Sequence, residues 1–159
     1  MLEKERYGQY QQMNENVGRH NDLFKLGDFV SHAGLTLSWK IEMDVLTDAE
    51  WFCIKKMIME YVGPFKEAVG IPRGGLKLAS ILNSEATNTT GHPILIVDDV
   101  LTTGTSMEEF VNSYFRNRHP EPYIGWVVFA RTQPPEWVKA LFQMPRMWVD
   151  DPSKPEYHK

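Results

Sequence analysis

Asp98 and Asp99 stand side by side after a continuous apolar run, Ile94-Leu95-Ile96-Val97, and are followed by Val100-Leu101 and then Thr102-Thr103-Gly104-Thr105-Ser106. Adjacent carboxylates at the end of a buried strand repel each other and are costly to take out of water, so they need cations or hydroxyl donors nearby. The loop after them is built of small and hydroxyl-bearing residues and opens a helix. Its backbone N–H groups, its hydroxyls and the helix N-terminus together make a cradle for an anion. Gly104 allows close approach to the backbone. A ligand with vicinal hydroxyls beside a phosphate satisfies both halves, and a ribose 5-phosphate is such a ligand. The competing reading is a solvated acidic turn followed by an ordinary helix cap. It explains a lone Thr-Gly-Thr better than it explains the whole run.

Two further features carry chemistry. Gly70-Ile71-Pro72-Arg73-Gly74-Gly75 reads as a strand running into a tight glycine loop, and Arg131 follows directly on the apolar segment Trp126 to Ala130. Taken alone, the glycine loop is explained nearly as well by a structural turn, Arg73 by a solvated arginine and Arg131 by a surface arginine.

Positioning these groups requires a particular order of elements. Phe24 to Val45 alternates and carries Gly27 and Gly34, which predicts short strands joined by a turn. Leu46 to Val62 changes period. Thr47 or Asp48 caps a helix whose apolar face is Trp51, Ile54, Ile58 and Tyr61, and Gly63-Pro64 ends it. Phe65 to Val69 leads as a strand into the glycine loop, and Leu76 to Leu82 is a short helix. Asn83 to Pro93 is a polar connection. Ile94 to Val97 has the continuous apolar character of a parallel strand covered on both faces, ending at the acidic pair. A helix from about Ser106 to Arg118, a strand from Gly125 to Ala130, a short helix beginning over Pro135 to Lys139 and a last strand over Ala140 to Met144 complete the order. Strands alternating with helices predict an α/β domain with a mainly parallel sheet. Such sheets bind ligands outside the carboxyl ends of their strands. Arg73, Asp98, Asp99, Thr102 and Arg131 all fall there.

The bulk composition narrows the function. The chain has 159 residues, suited to one domain, and 42% apolar residues, enough for a core. A formal net charge of -4 and an isoelectric point of about 5.7 argue against a protein built to grip nucleic acid, though not against a small anionic ligand in one pocket. The single cysteine, Cys53, forms no internal disulfide, lacks the Cys/His spacing of structural zinc and reads as buried filler in an apolar pattern. No signal peptide is recognisable, and no run approaches the roughly 18 apolar residues of a membrane helix. A cytoplasmic protein without membrane or nucleic-acid partners is expected.

The run from Ile94 to Ser106 resembles the 5-phosphoribosyl-1-pyrophosphate (PRPP) motif of type I phosphoribosyltransferases, and Gly70 to Gly75 resembles the pyrophosphate loop of that family. Phe29 to Asp44, with Ala33-Gly34, Ser38-Trp39-Lys40 and then Leu46-Thr47-Asp48, is similar to the hood of orotate phosphoribosyltransferases. The resemblance extends over roughly residues 24–131. It implies a type I phosphoribosyltransferase-like parallel sheet flanked by helices with a small N-terminal hood. A polar arm would occupy residues 1–22, the domain 23–149 with its hood at about 23–46, and a polar tail 150–159. It further implies transfer of the phosphoribosyl group from PRPP to a nucleobase, an orotate-like pyrimidine, giving a nucleoside monophosphate and releasing pyrophosphate. Mg2+ would assist. Asp98 and Asp99 would be the catalytic pair, holding the ribose hydroxyls and meeting the metal through ligand or water. Thr102, Thr103, Gly104, Thr105 and Ser106 would bind the 5-phosphate. Gly70, Ile71, Pro72, Arg73, Gly74 and Gly75 would bind pyrophosphate, often through an unusual peptide geometry. Arg131 and His32 would face the base. A homodimer is an expectation of the same resemblance.

Two departures stand out. His32 occupies the hood position where orotate enzymes carry a lysine. Leu76 to Pro93 has room only for a short helix and a turn, where the family places an extra strand and a long basic loop that closes over the site. A second reading is therefore a catalytically inactive regulatory protein that binds PRPP or a nucleotide on the same fold. A third is a phosphatase or receiver-like phosphate-binding domain, against which the Thr-Thr-Gly-Thr-Ser loop argues.

Overall fold

The computed structural model describes residues 22–30, 34 and 36–144. The polar arm (Asp22 excepted), His32 and the tail lie outside these residues. Strands β1 (Phe24–Val30) and β2 (Thr36–Ile41) form an antiparallel hairpin. Its register shifts between Leu26 and Phe29, next to Gly27 with φ 143°, a backbone conformation that favours glycine. Helix α1 (Asp48–Met59) follows, then β3 (Ala68–Gly70), α2 (Gly75–Leu82), β4 (Ile94–Leu101), α3 (Thr105–Phe115), β5 (Tyr123–Ala130) and β6 (Val138–Gln143). The main sheet has the order β3-β4-β5-β6, and all its neighbouring pairs are parallel.

The sequence explains most of these boundaries. Thr47 caps α1 in a reciprocal box. Its hydroxyl accepts from the Glu50 amide at 3.3 Å, and its own amide donates to Glu50 Oε2 at 2.8 Å. Trp51, Ile54 and Ile58 form the buried face of α1, whereas Tyr61 lies beyond the helix in an exposed position. Cys53 is exposed, contrary to the buried role expected of it. At 100° per residue it stands 200° around the helix from Trp51, on the face turned from the core.

Alternate residues of the central strands serve opposite layers, as a period of two requires. Leu95, Val97, Trp126 and Val128 pack against α1 and α2. Ile94, Ile96 and Val127 pack with Met107 and Val111 of α3. The result is a sheet sandwiched between helices, with its apolar strands covered on both faces.

Three expectations are corrected. β4 does not end at the acidic pair but continues through Asp98 and Asp99 to Leu101, since Asp98, Val100 and Leu101 still pair with Val127, Phe129 and Ala130. β3 starts at Ala68 rather than Phe65. Pro135 to Lys139 holds no helix. A turn closed by the Val138 amide on the Pro135 carbonyl at 2.9 Å leads into β6, which occupies Val138–Gln143. The free edge of β5 captures these residues, and Trp137 lies against Gly125, where a side chain on the glycine would meet the indole at 2.7 Å.

Candidate active site

β3, β4 and β5 deliver their carboxyl ends to one cleft of about 690 Å³, whose opposite wall is the hairpin and the turn after it. The glycine loop follows β3. A side chain on Gly70 would strike the Gly75 carbonyl, and one on Gly75 the Val97 carbonyl of β4. The loop is thus folded back on itself and pressed on the neighbouring strand. Gly74 lies directly on the Asp99 carboxylate, leaving no room for a methyl group. Within this turn the Pro72–Arg73 peptide is cis. Ile71, Pro72, Arg73 and Gly74 line the cleft, while Gly70 and Gly75 are buried beneath it.

Asp98 is 9% exposed. Its Oδ1 accepts from the Asp99 amide at 2.9 Å, and Asp99 Oδ1 accepts from the Val100 amide at 2.7 Å. Burial, and then the charge of Asp99 beside it, push the Asp98 carboxyl up to about 8. Asp99 is raised as well, chiefly by burial, with a further contribution from Asp44 across the cleft. The pair is therefore a store of unmet electrostatic demand. A diol, a cation or both would relieve it.

Past Leu101, the Thr102–Ser106 loop turns into α3. Gly104 is its N-cap with φ 86° and has no side chain with which to cap the helix. The Thr103 hydroxyl donates to Thr105 Oγ1 at 3.0 Å and accepts from the Thr105 amide at 3.3 Å. The Thr132 hydroxyl holds the Thr102 carbonyl at 2.8 Å. Hydroxyls and first-turn amides gathered at a helix N-terminus suit a phosphate.

Arg131, at the end of β5, is only 3% exposed, so it is not a surface arginine. Its amide donates to the Leu101 carbonyl at 2.8 Å. Nη1 donates to the Trp39 carbonyl of β2 at 2.9 Å, and the guanidinium lies 3.8 Å over the Trp39 ring. Sequence reasoning placed Trp39 in the hood without connecting it to Arg131. They are 92 residues apart, and no local pattern couples them. Lys40, Asp44 and Lys77 also line the cleft and were not among the site residues expected from the sequence. Lys40 Nζ pairs with Glu42 at 2.6 Å.

Residues 79–144 match the family described as the phosphoribosyl transferase domain. The structure is similar to an orotate phosphoribosyltransferase from Aeropyrum pernix, with a TM-score of 0.61 and 21% identity over 76% of this chain and 88% of that one. The chain has the type I phosphoribosyltransferase fold. An orotate phosphoribosyltransferase from Francisella tularensis superimposes with a TM-score of 0.55 and 13% identity, covering 85% of each chain. The Mycobacterium tuberculosis enzyme of the same name does so at 0.56 and 14%, covering 76% of this chain and 89% of that one. No curated protein matches by sequence. The phosphoribosyltransferase fold accounts for both sheets: the parallel sheet presents the acidic pair and the two loops, and the hairpin is the hood. Between α2 and β4, residues 83–93 make one short 3-10 turn and a loop, so no extra strand enters there. Among the described residues no helix is long and apolar enough to cross a membrane.

Proposed function

We propose that this chain is a phosphoribosyltransferase that binds PRPP in the cleft and transfers its 5-phosphoribosyl group to a nucleobase, an orotate-like pyrimidine, releasing pyrophosphate. The observation that carries this reading is the order of the three binding elements. In PRPP the pyrophosphate on C1 neighbours the 2- and 3-hydroxyls, and the 5-phosphate stands at the far side of the ring. Gly74 of the glycine loop packs on Asp99, and the Thr102–Ser106 loop leaves the same strand beyond Leu101. Pyrophosphate loop, diol-binding pair and phosphate cradle thus follow each other as the ligand's groups do.

In this reading Asp98 and Asp99 accept hydrogen bonds from the ribose hydroxyls. Thr102, Thr103, Gly104, Thr105 and Ser106 hold the 5-phosphate, and Gly70 to Gly75 receive the pyrophosphate beside Arg73. Anchoring both ends of the donor uses remote binding energy to position C1. The acceptor nitrogen then bonds to C1 while the C1–O bond to pyrophosphate breaks and its electron pair leaves with oxygen. The ribose passes through an oxocarbenium-like state that nearby carboxylates favour. A proton on the attacking nitrogen departs to water, and no protein nucleophile takes part. Arg131, with His32 of the hood, would pair with a carboxylate or carbonyl of the acceptor. A Mg2+ fits the donor set. Asp98 and Asp99 offer hard oxygens, and among the described residues no three His, Cys, Asp or Glu side chains form a cage of their own, so the ion would share oxygens with PRPP. When bound it neutralises charge on the leaving pyrophosphate.

Calorimetric titration of PRPP, with and without Mg2+, into the wild type and an Asp98→Asn/Asp99→Asn variant tests the reading. Mg2+-dependent binding that the folded variant loses is expected, followed by pyrophosphate release when bases are screened. Absence of binding near millimolar PRPP by folded wild type would end it. The short connection between α2 and β4 favours one second reading, a PRPP- or nucleotide-binding regulator. Tight binding without turnover on any base would select that reading.

A further inference from the structure

The cleft holds a cation whose partner is poorly matched to its position. Lys77 lines the cleft and is the third residue of α2, the helix that begins at Gly75, where the glycine loop ends. A positive charge in the first turn of a helix opposes the helix dipole, so it needs an anion nearby. That anion is now Asp48, whose Oδ1 lies 2.6 Å from Nζ. Both side chains are open to water, at 50% and 91% exposure, and exposed pairs of this kind are readily exchanged. Asp48, moreover, does not depend on the lysine. It is the first residue of α1, where the helix dipole itself favours a carboxylate.

The other cations around the cleft are differently engaged. Lys40 is held by Glu42, and Arg131 is buried on Trp39. Arg73 lies within the glycine loop, and Lys77 stands two residues beyond its end. Lys77 is also the sole lysine or arginine in the connection from Leu76 to Pro93.

We propose that Lys77 is a pyrophosphate-binding residue that exchanges the Asp48 carboxylate for a pyrophosphate oxygen when the donor enters. The proposal rests on the PRPP reading of the cleft. It supplies, from a fixed helix on the cleft floor, positive charge at the leaving group. The exchange moves one side chain and leaves each partner with a favourable environment: Lys77 gains a more highly charged anion, and Asp48 keeps the α1 N-terminus.

The test compares PRPP with ribose 5-phosphate, both with Mg2+, by titration into wild type, Lys77→Met, Lys77→Arg and Asp48→Asn, with melting curves to verify folding. Lys77→Met is expected to weaken PRPP about tenfold while leaving ribose 5-phosphate unchanged, as loss of one charge-assisted contact confined to the pyrophosphate requires. Lys77→Arg retains most of the PRPP affinity. Asp48→Asn tightens PRPP about twofold to threefold, because the competing carboxylate is gone. Equal PRPP affinity in Lys77→Met and wild type would overturn the assignment, as would equal weakening of both ligands. So would an Asp48→Asn variant that weakens PRPP like Lys77→Met, since the pair would then be a structural bridge. Wild type that binds neither ligand would remove the phosphoribosyltransferase reading itself, and the assignment with it.

Discussion

The two walls of the cleft are built on different principles. The floor, made by β3, β4 and their loops, is packed so closely that Gly70, Gly74 and Gly75 cannot accept a methyl group without striking backbone or the Asp99 carboxylate. The hood is a two-stranded hairpin with no strand paired to the main sheet and with Leu26 89% and Val30 74% exposed. The contacts that tie it to the main sheet are made with β5 and its end: Phe24 lies edge-on to Phe129, and Trp39 lies beneath Arg131. Isolated hairpins are at best marginally stable in water. A rigid floor suits a part of the ligand that never varies, and a lightly held wall suits one that selects.

Breaking the floor should have the largest effect. Gly75→Ala drives a methyl into the Val97 carbonyl, and overpacking against backbone is expected to cost about 3 kcal/mol, read as a fall in the denaturation midpoint. PRPP binding should disappear with it.

Substitution at Arg131 should separate the walls. Arg131→Met removes the bond to the Trp39 carbonyl and the contact with its ring, a loss of about 1–3 kcal/mol. Steady-state kinetics should show KM for the base rising, while PRPP affinity by titration stays near that of wild type. A parallel loss of PRPP affinity would mean that the hood also organises the floor.

The acidic pair should reveal its strain through pH. The Asp98 carboxyl is raised from its usual 3.8 to about 8 in the folded protein, so the folded state holds a proton that the unfolded chain releases. The associated stability is present in full below about pH 4 and declines as pH rises towards 8. Asp98→Asn should therefore melt higher than wild type at pH 8 and lose that advantage near pH 4. The variant keeps an oxygen to accept from the Asp99 amide. The reverse order of melting temperatures would contradict burial as the cause.

The smallest effect belongs to the exposed side of the hood. Leu26→Ser should change stability by no more than about 0.5 kcal/mol in chemical denaturation, as expected for an exposed position. A larger loss would mean that this face of the hairpin is covered in solution.

What could be read from the residues in order, and what could not, divides along the same line. The acidic pair, the hydroxyl loop and the glycine loop are contiguous strings, and the strand that carries the acidic pair announces itself by a continuous apolar run. Those features are local, so the sequence by itself determined the α/β class, the order of elements as far as β5 and the strand ends at which the chemistry would lie. The tertiary structure decided the rest. It carried β4 two residues past the acidic pair, because pairing with β5 continues there. It began the last strand at Val138 rather than Ala140, in place of the short helix expected over Pro135 to Lys139, because an open sheet edge lay alongside. It buried Arg131 on a tryptophan from the hairpin and set Lys77 against Asp48 of another helix. Such pairings join residues distant along the chain, and their energies exist only after folding has brought the partners together.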